Sequence, residues 1–185
     1  MKHIPTTSSL LAFDEILKKA NMQEGHSAAD LGCGNSLFFL YGLSNLVGDK
    51  GKVFAVDLIP SIIDQLQREI KHHNLSSINP VHGNLDLLNG VKIENDTMDR
   101  SFLINTLHQS ADTLTMLSEA KRLTKQDGTI IVIDWLSSST HPLGPSPERR
   151  LSKEIILDTA KLLQLELADE FKPGPFHFGL IFTNN

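Results

Sequence analysis

The stretch AADLGCGNS, Ala28 to Ser36, reads as the turn between a first buried strand and a first helix, and the rest of the chain is best read outward from it. Two glycines at i and i+2, Gly32 and Gly34, allow a tight turn and a close backbone approach that a Cβ would block. A dinucleotide-binding turn opens with the same pair but requires a third glycine, and that position holds Leu37. A second class of nucleoside ligand therefore has to be weighed beside it.

The runs KVFAVD, Lys52 to Asp57, and GTIIVIDWL, Gly128 to Leu136, are continuously apolar rather than alternating. Strands covered by helices on both faces have this composition. Further strands are expected near Ala28–Leu31, Ser77–His82 and Met98–Asn105. Between strands two and three, PSIIDQLQREIKHHN opens with Pro60 in a first-turn position, sets Ile63, Leu66 and Ile70 on one face and closes at Asn74. A second helix is expected over Asp112–Lys125, capped by Asp112, with Leu114, Leu117 and Ala120 turned inward and Gly128 beyond its end. Strands alternating with helices imply an α/β fold with a doubly wound, mostly parallel sheet. After it come a Pro-, Gly- and Ser-rich loop, Ser137 to Arg150, a helix capped at Ser152, and the segments LELADEF and FHFGLIF, joined by KPGP as a terminal β-hairpin.

A chain of 185 residues supports one domain. We divide it into an N-terminal cap segment, 1–25, a ligand-binding core, 26–136, an acceptor-side loop, 137–150, and a terminal helix with hairpin, 151–185. Its 22 acidic and 17 basic residues give a net charge of −5, and no basic stripe is present, which argues against nucleic acid as a partner. A single cysteine makes no internal disulfide, and no long apolar stretch suggests a signal peptide or a membrane span. A cytoplasmic setting is expected. The sequence sets no oligomeric state.

Asp57 ends the second strand, where a carboxylate can accept hydrogen bonds from both hydroxyls of a ribose. Without the third glycine, a nucleoside lacking a pyrophosphate fits the turn better. These residues resemble the class I S-adenosylmethionine-dependent methyltransferases, in particular the small-molecule methyltransferase-domain group, over nearly the whole chain. DLGCGNS resembles that family's first motif, with Asp30 at its acidic position, Gly32 and Gly34 at its glycines, and Cys33 between them as a small residue completing the turn. Asp57 falls on the ribose-binding acid, Leu58 on the residue flanking the adenine, and HGNLDLL, from His82, on the stretch after strand three, with Asn84 and Leu85 at the adenine. NTLHQ, Asn105 to Gln109, resembles the stretch after strand four, and EAKRLTKQDGTIIVIDW the helix, turn and fifth strand. Ser36 replaces a common glycine, Asn84 a common aspartate, and QDG the usual Pro-Gly-Gly turn.

The resemblance implies a Rossmann-like seven-stranded sheet of order 3-2-1-4-5-7-6, S-adenosyl-L-methionine as cofactor, and methyl transfer by in-line displacement. The expected cofactor-binding residues are Asp30, Gly32, Cys33, Gly34, Asp57, Leu58, Asn84, Leu85 and Asn105. It also narrows the acceptor. The Asn/Asp-Pro-Pro-aromatic motif of base and amide methylation is replaced by Asn105-Thr106-Leu107-His108, arsenic capture would need several thiols, and Asp134-Trp135 replaces the Asp-Asn pair of metal-assisted catechol chemistry. A small organic acceptor and no metal are expected. His108, beside the expected methyl position, is the first candidate for a base or orienting group; His141 is the second. Two other readings stand beside this one: a cofactor-holding sensor or partner subunit without turnover, and, more distantly, a dinucleotide oxidoreductase. A helix rich in Leu10, Leu11, Phe13, Ile16 and Leu17, capped within Thr6–Ser9, could cover the acceptor pocket.

Overall fold

Each continuously apolar run forms a central strand, in a computed structural model that describes residues 10–35 and 37–185. Five parallel strands, β1 (Ser27–Leu31), β2 (Lys52–Asp57), β3 (Ile78–His82), β4 (Met98–Ile104) and β5 (Thr124–Trp135), are extended by an antiparallel hairpin, β6 (Leu165–Phe171) and β7 (His177–Asn184), of which β7 pairs antiparallel with β5. The order is β3-β2-β1-β4-β5-β7-β6, the order expected. Side chains alternate across each strand, so a fully apolar strand feeds two cores at once. In β5, Ile130 and Val132 enter one core while Ile131 and Ile133 enter the other.

Helices α1 (Phe13–Ala20), α2 (Leu37–Val47) and α3 (Pro60–His73) cover one face, with Phe39 edge-on to Phe102 of β4 at 5.1 Å. Helices α4 (Thr113–Leu123) and α5 (Lys153–Leu162) cover the other. Helix α3 has Pro60 in its first turn and stops at Asn74, which takes the left-handed conformation and donates its N–H back to the helix. Asp112 caps α4 by accepting from Leu114 N, and Ser152 caps α5 by accepting from Ile155 N.

The second predicted helix needs correction at its end. It stops at Leu123, and Thr124 passes directly into β5; Gly128 therefore lies inside a strand instead of beyond a helix. The reason is tertiary: Thr124 Oγ1 is locked to Ser101 Oγ of β4 at 2.7 Å in the buried sheet. Leu114 is 43% exposed, and the inward row is Met116, Leu117, Ala120 and Leu123: the helix starts after Asp112 as expected, but a strict three-residue spacing drifts around a 3.6-residue helix, and Leu114 falls off the stripe that meets the core. Thr6–Ser9, the expected cap region of the first helix, lies outside the described residues, but that helix is shorter than expected and leaves Leu10 and Leu11 ahead of its start. In the described part, α1 begins after Ala12, which has no side-chain cap but donates its N–H to Pro173 O at 2.7 Å, fixing α1 to the β6–β7 connection.

Candidate functional site

Crossovers leave β1 and β4 in opposite directions, so a crevice opens beyond their carboxyl ends. After β1 the chain turns at Gly32 and Gly34, with φ of 80° and 55°. Gly32 and Cys33 both donate N–H to Val56 O, at 2.8 and 3.0 Å, which ties the turn to β2. The two glycines serve different needs. A Cβ on Gly32 would lie 2.4 Å from Thr106 Cγ2, so there it is packing of the neighbouring loop, not ligand approach, that excludes a side chain. At Gly34 nothing lies within 4 Å of a Cβ, and the demand is the left-handed backbone itself.

Two carboxylates stand under this turn. Asp57 receives Gly34 N–H on Oδ2 at 2.8 Å and Ile59 N–H on Oδ1 at 2.9 Å, and each oxygen keeps a further lone pair. Asp30, 3% exposed, is held in the apolar end of β1; burial first, and then the charge of Asp57, push its carboxyl up to about 7. The thiol of Cys33 is pushed up too, by burial and then by both carboxylates, so it is a neutral thiol filling the turn.

Across the crevice, Asn105 ends the β4 connection in a left-handed conformation, φ 56°, with its N–H on Ile133 O at 2.8 Å. Its Oδ1 is buried without a hydrogen-bond partner among the described residues. His108 stands in the short 3-10 turn that follows, Leu107–Gln109. Its Nδ1 lies 2.8 Å from Asp134 Oδ1, and its backbone N–H donates to Asp134 Oδ2 at 3.1 Å. The side chains of the two are 10% and 1% exposed.

These groups share one cavity of about 490 Å³. Asp30, Gly32, Cys33, Gly34 and Asn35 form one wall, Asn105, His108 and Gln109 another, and Leu11, Phe13, Phe39, Ile104, Trp135 and Leu143 supply apolar surface. Gly144, Pro145 and Arg149 bring the loop after β5 to its mouth, as that loop's composition suggested. Leu11 and Phe13 place the start of α1 over the same space.

The structure thus brings Asp30, Gly32, Cys33, Gly34, Asn105 and His108 together, with Asp57 hydrogen-bonded behind the turn. It does not bring Leu58, Asn84, Leu85 or His141 into that cavity. Leu58 is 52% exposed next to Asp57, Asn84 Oδ1 already accepts Asp86 N–H at 2.9 Å, and Leu85 is buried in the core under α4. His141 stacks between Trp135 and Phe176, and its Nδ1 accepts Leu143 N–H at 3.3 Å. Sequence reasoning passed over Asp134 as the partner of His108. The parallel register that pairs Ile104 with Ile133 was the signal, since it sets Asp134 beside the start of the NTLHQ segment. Behind Trp135, at 4.2 Å between ring centroids, His177 is buried, and burial lowers its imidazole to about 4, so it is neutral. Among the described residues no group of three or more His, Cys, Asp or Glu could hold a metal ion, and no helix is long and apolar enough to cross a membrane.

Comparison with known proteins gives a consistent result. Residues 23–164 match the family described as "Methyltransferase domain". A demethylmenaquinone methyltransferase of Geobacillus sp. (strain WCH70) is 24% identical over 140 residues, covering 72% of this chain and 58% of the relative. One of Bacillus pumilus (strain SAFR-032) is 29% identical over 121 residues, covering 65% and 50%. The chain therefore spans about half the length of the curated relatives it matches. Among solved structures, a SAM dependent methyltransferase from Aquifex aeolicus superposes with a TM-score of 0.87 at 24% identity, covering 98% of this chain and 94% of the other, a likeness of fold.

Proposed function

The chain belongs to the methyltransferase domain family, and on that premise we propose that it is an S-adenosylmethionine-dependent methyltransferase acting on a small organic acceptor. One observation carries the reading: a single cavity is lined by the glycine turn with Asp30 on one wall and by Asn105 and a held histidine, His108, on the other. The donor set suits the cofactor. Asn105 Oδ1, buried and without a partner among the described residues, and the desolvated Asp30 are acceptors matched to an ammonium group. The remaining lone pairs of Asp57 suit ribose hydroxyls.

When bound, the cofactor supplies a methyl group on a sulfonium, with its leaving group built in. What this chain's residues contribute is alignment and exclusion of water, which can be worth on the order of 7–11 kcal/mol. The turn and Asn105 fix one reactant, the walls formed by Phe13, Phe39 and Trp135 exclude solvent, and the Gly144–Arg149 segment borders the opening. His108 stands where an acceptor would be oriented. The match to the methyltransferase domain family supports turnover over a sensor role, and an imidazole held on the cavity wall by Asp134 accords with it.

Calorimetric titration with S-adenosylhomocysteine tests the reading. Asp57→Ala removes the acceptor for ribose hydroxyls and for Gly34 N–H, a loss of roughly 1–3 kcal/mol, which is roughly 5- to 150-fold in affinity. Affinity within two-fold of wild type would overturn the assignment.

A further inference from the structure

Resting on the methyltransferase reading of the same cavity, we propose that the methyl acceptor is a phenolic or enolic hydroxyl on a flat apolar body, deprotonated by His108 Nε2, and that Asp134 is the residue that positions His108. Both oxygens of Asp134 are committed. Oδ1 faces His108 Nδ1 at 2.8 Å and accepts Trp135 N–H at 2.8 Å, while Oδ2 accepts the backbone N–H of His108 at 3.1 Å. A carboxylate only accepts, so the proton of the neutral imidazole sits on Nδ1 and the lone pair on Nε2. Nε2 has no hydrogen-bond partner among the described residues, and the ring lines the cavity.

That arrangement is informative about the acceptor. A thiolate or a tertiary amine attacks a sulfonium methyl without giving up a proton and gains nothing from a positioned base. A hydroxyl must lose one, and an imidazole matches the acidity of phenols and enols far better than that of alkyl alcohols. Trp135, Phe39, Phe13 and Leu143 offer flat apolar surface for the body that carries it. The other titratable groups lining the cavity with His108 are Asp30 on β1, Cys33 in the turn after it and Arg149 on the loop, and His177 on β7, behind Trp135, is kept neutral by burial. In the step itself, a lone pair of the acceptor oxygen forms the O–CH3 bond as the C–S bond breaks. The electron pair of that bond stays on sulfur, the O–H proton passes to Nε2, and the imidazolium formed is stabilised by Asp134.

Two measurements on the full chain test this. Nitrogen-15 NMR of His108 should show the Nδ1-protonated tautomer in wild type, and in Asp134→Asn, whose amide can donate, a shift to the Nε2-protonated one. Methylation of phenol and of 4-nitrophenol, followed at pH 8 by S-adenosylhomocysteine release, should separate chemistry from structure. His108→Ala and Asp134→Asn should lose about 10²-fold or more with phenol, the usual scale of a general base. With 4-nitrophenol, which ionises by itself, the loss should be several-fold at most. An Nε2-protonated wild-type histidine, equal losses with both phenols, or no methylation of either phenol by a chain that binds S-adenosylhomocysteine would each overturn the proposal. Absence of S-adenosylhomocysteine binding would instead bring down the methyltransferase reading on which it stands.

Discussion

Replacing Asp30 by Asn should make the protein more stable, and increasingly so as the pH rises. Asp30 ends up 3% exposed at the tip of β1, beside the charge of Asp57, and its carboxyl is raised from 3.8 to about 7. Because the folded chain holds this proton more tightly than the unfolded one, the associated stability is fully present below pH 3.8 and is lost as the pH climbs to about 7. The difference is about 3 units, and at about 1.36 kcal/mol per unit the total is about 4 kcal/mol. Asn has the shape of the protonated acid and does not titrate. Urea unfolding of both proteins at pH 5, 6, 7 and 8 isolates the group, since other titrations cancel in the difference. The stability gap in favour of Asp30→Asn should widen by up to about 3 kcal/mol between pH 5 and pH 8, and then level off. A gap that stays flat over that range would show that Asp30 is ionised in the fold at no cost, and the account of the turn as a desolvated acceptor would fail with it.

Glu119, fully buried on α4, accepts from Arg122 at 2.7 and 2.8 Å and from the backbone N–H groups of Asn89 and Val91. Glu119→Ala should lower unfolding stability by about 3–5 kcal/mol, the usual result of stranding one member of a buried pair, and a loss below about 1 kcal/mol in urea titration would contradict its role as the clamp of the β3–β4 connection. Treatment with EDTA should leave S-adenosylhomocysteine affinity unchanged by calorimetry, as expected from the lack of a ligand cluster among the described residues; a loss restored by magnesium would refute a metal-free site.

Much of this protein is legible in local chemistry. Continuous apolar runs with a helix between them demand a two-faced parallel sheet, Pro60 and Asn74 bracket α3, and a G-x-G turn followed one strand later by Asp57 marks the ligand end, because each of these signals lies within a few neighbouring residues. Other features depended on partners far along the chain. Helix α4 gives way to β5 at Thr124 because Ser101 bonds there across 23 residues, and the inward stripe of that helix is set by which face meets the sheet, Met116 and Leu123 included and Leu114 left out. Gly32 is required by Thr106, which no local pattern could indicate. Asn84 and Leu85 carry the expected motif, yet a hydrogen bond to Asp86 and burial under α4 keep them out of the cavity. Most of all, His108 as a side chain is only a candidate; what makes it a held imidazole with one nitrogen free is Asp134, 26 residues away and brought alongside by the parallel register of β4 and β5. Pattern in the chain determined which elements form and where the glycine turn falls at the carboxyl end of the sheet, since those follow from period and turn chemistry. The pairing of side chains into a working site was decided only by the tertiary structure, since hydrogen bonds and desolvation depend on distance in space and not on distance in sequence.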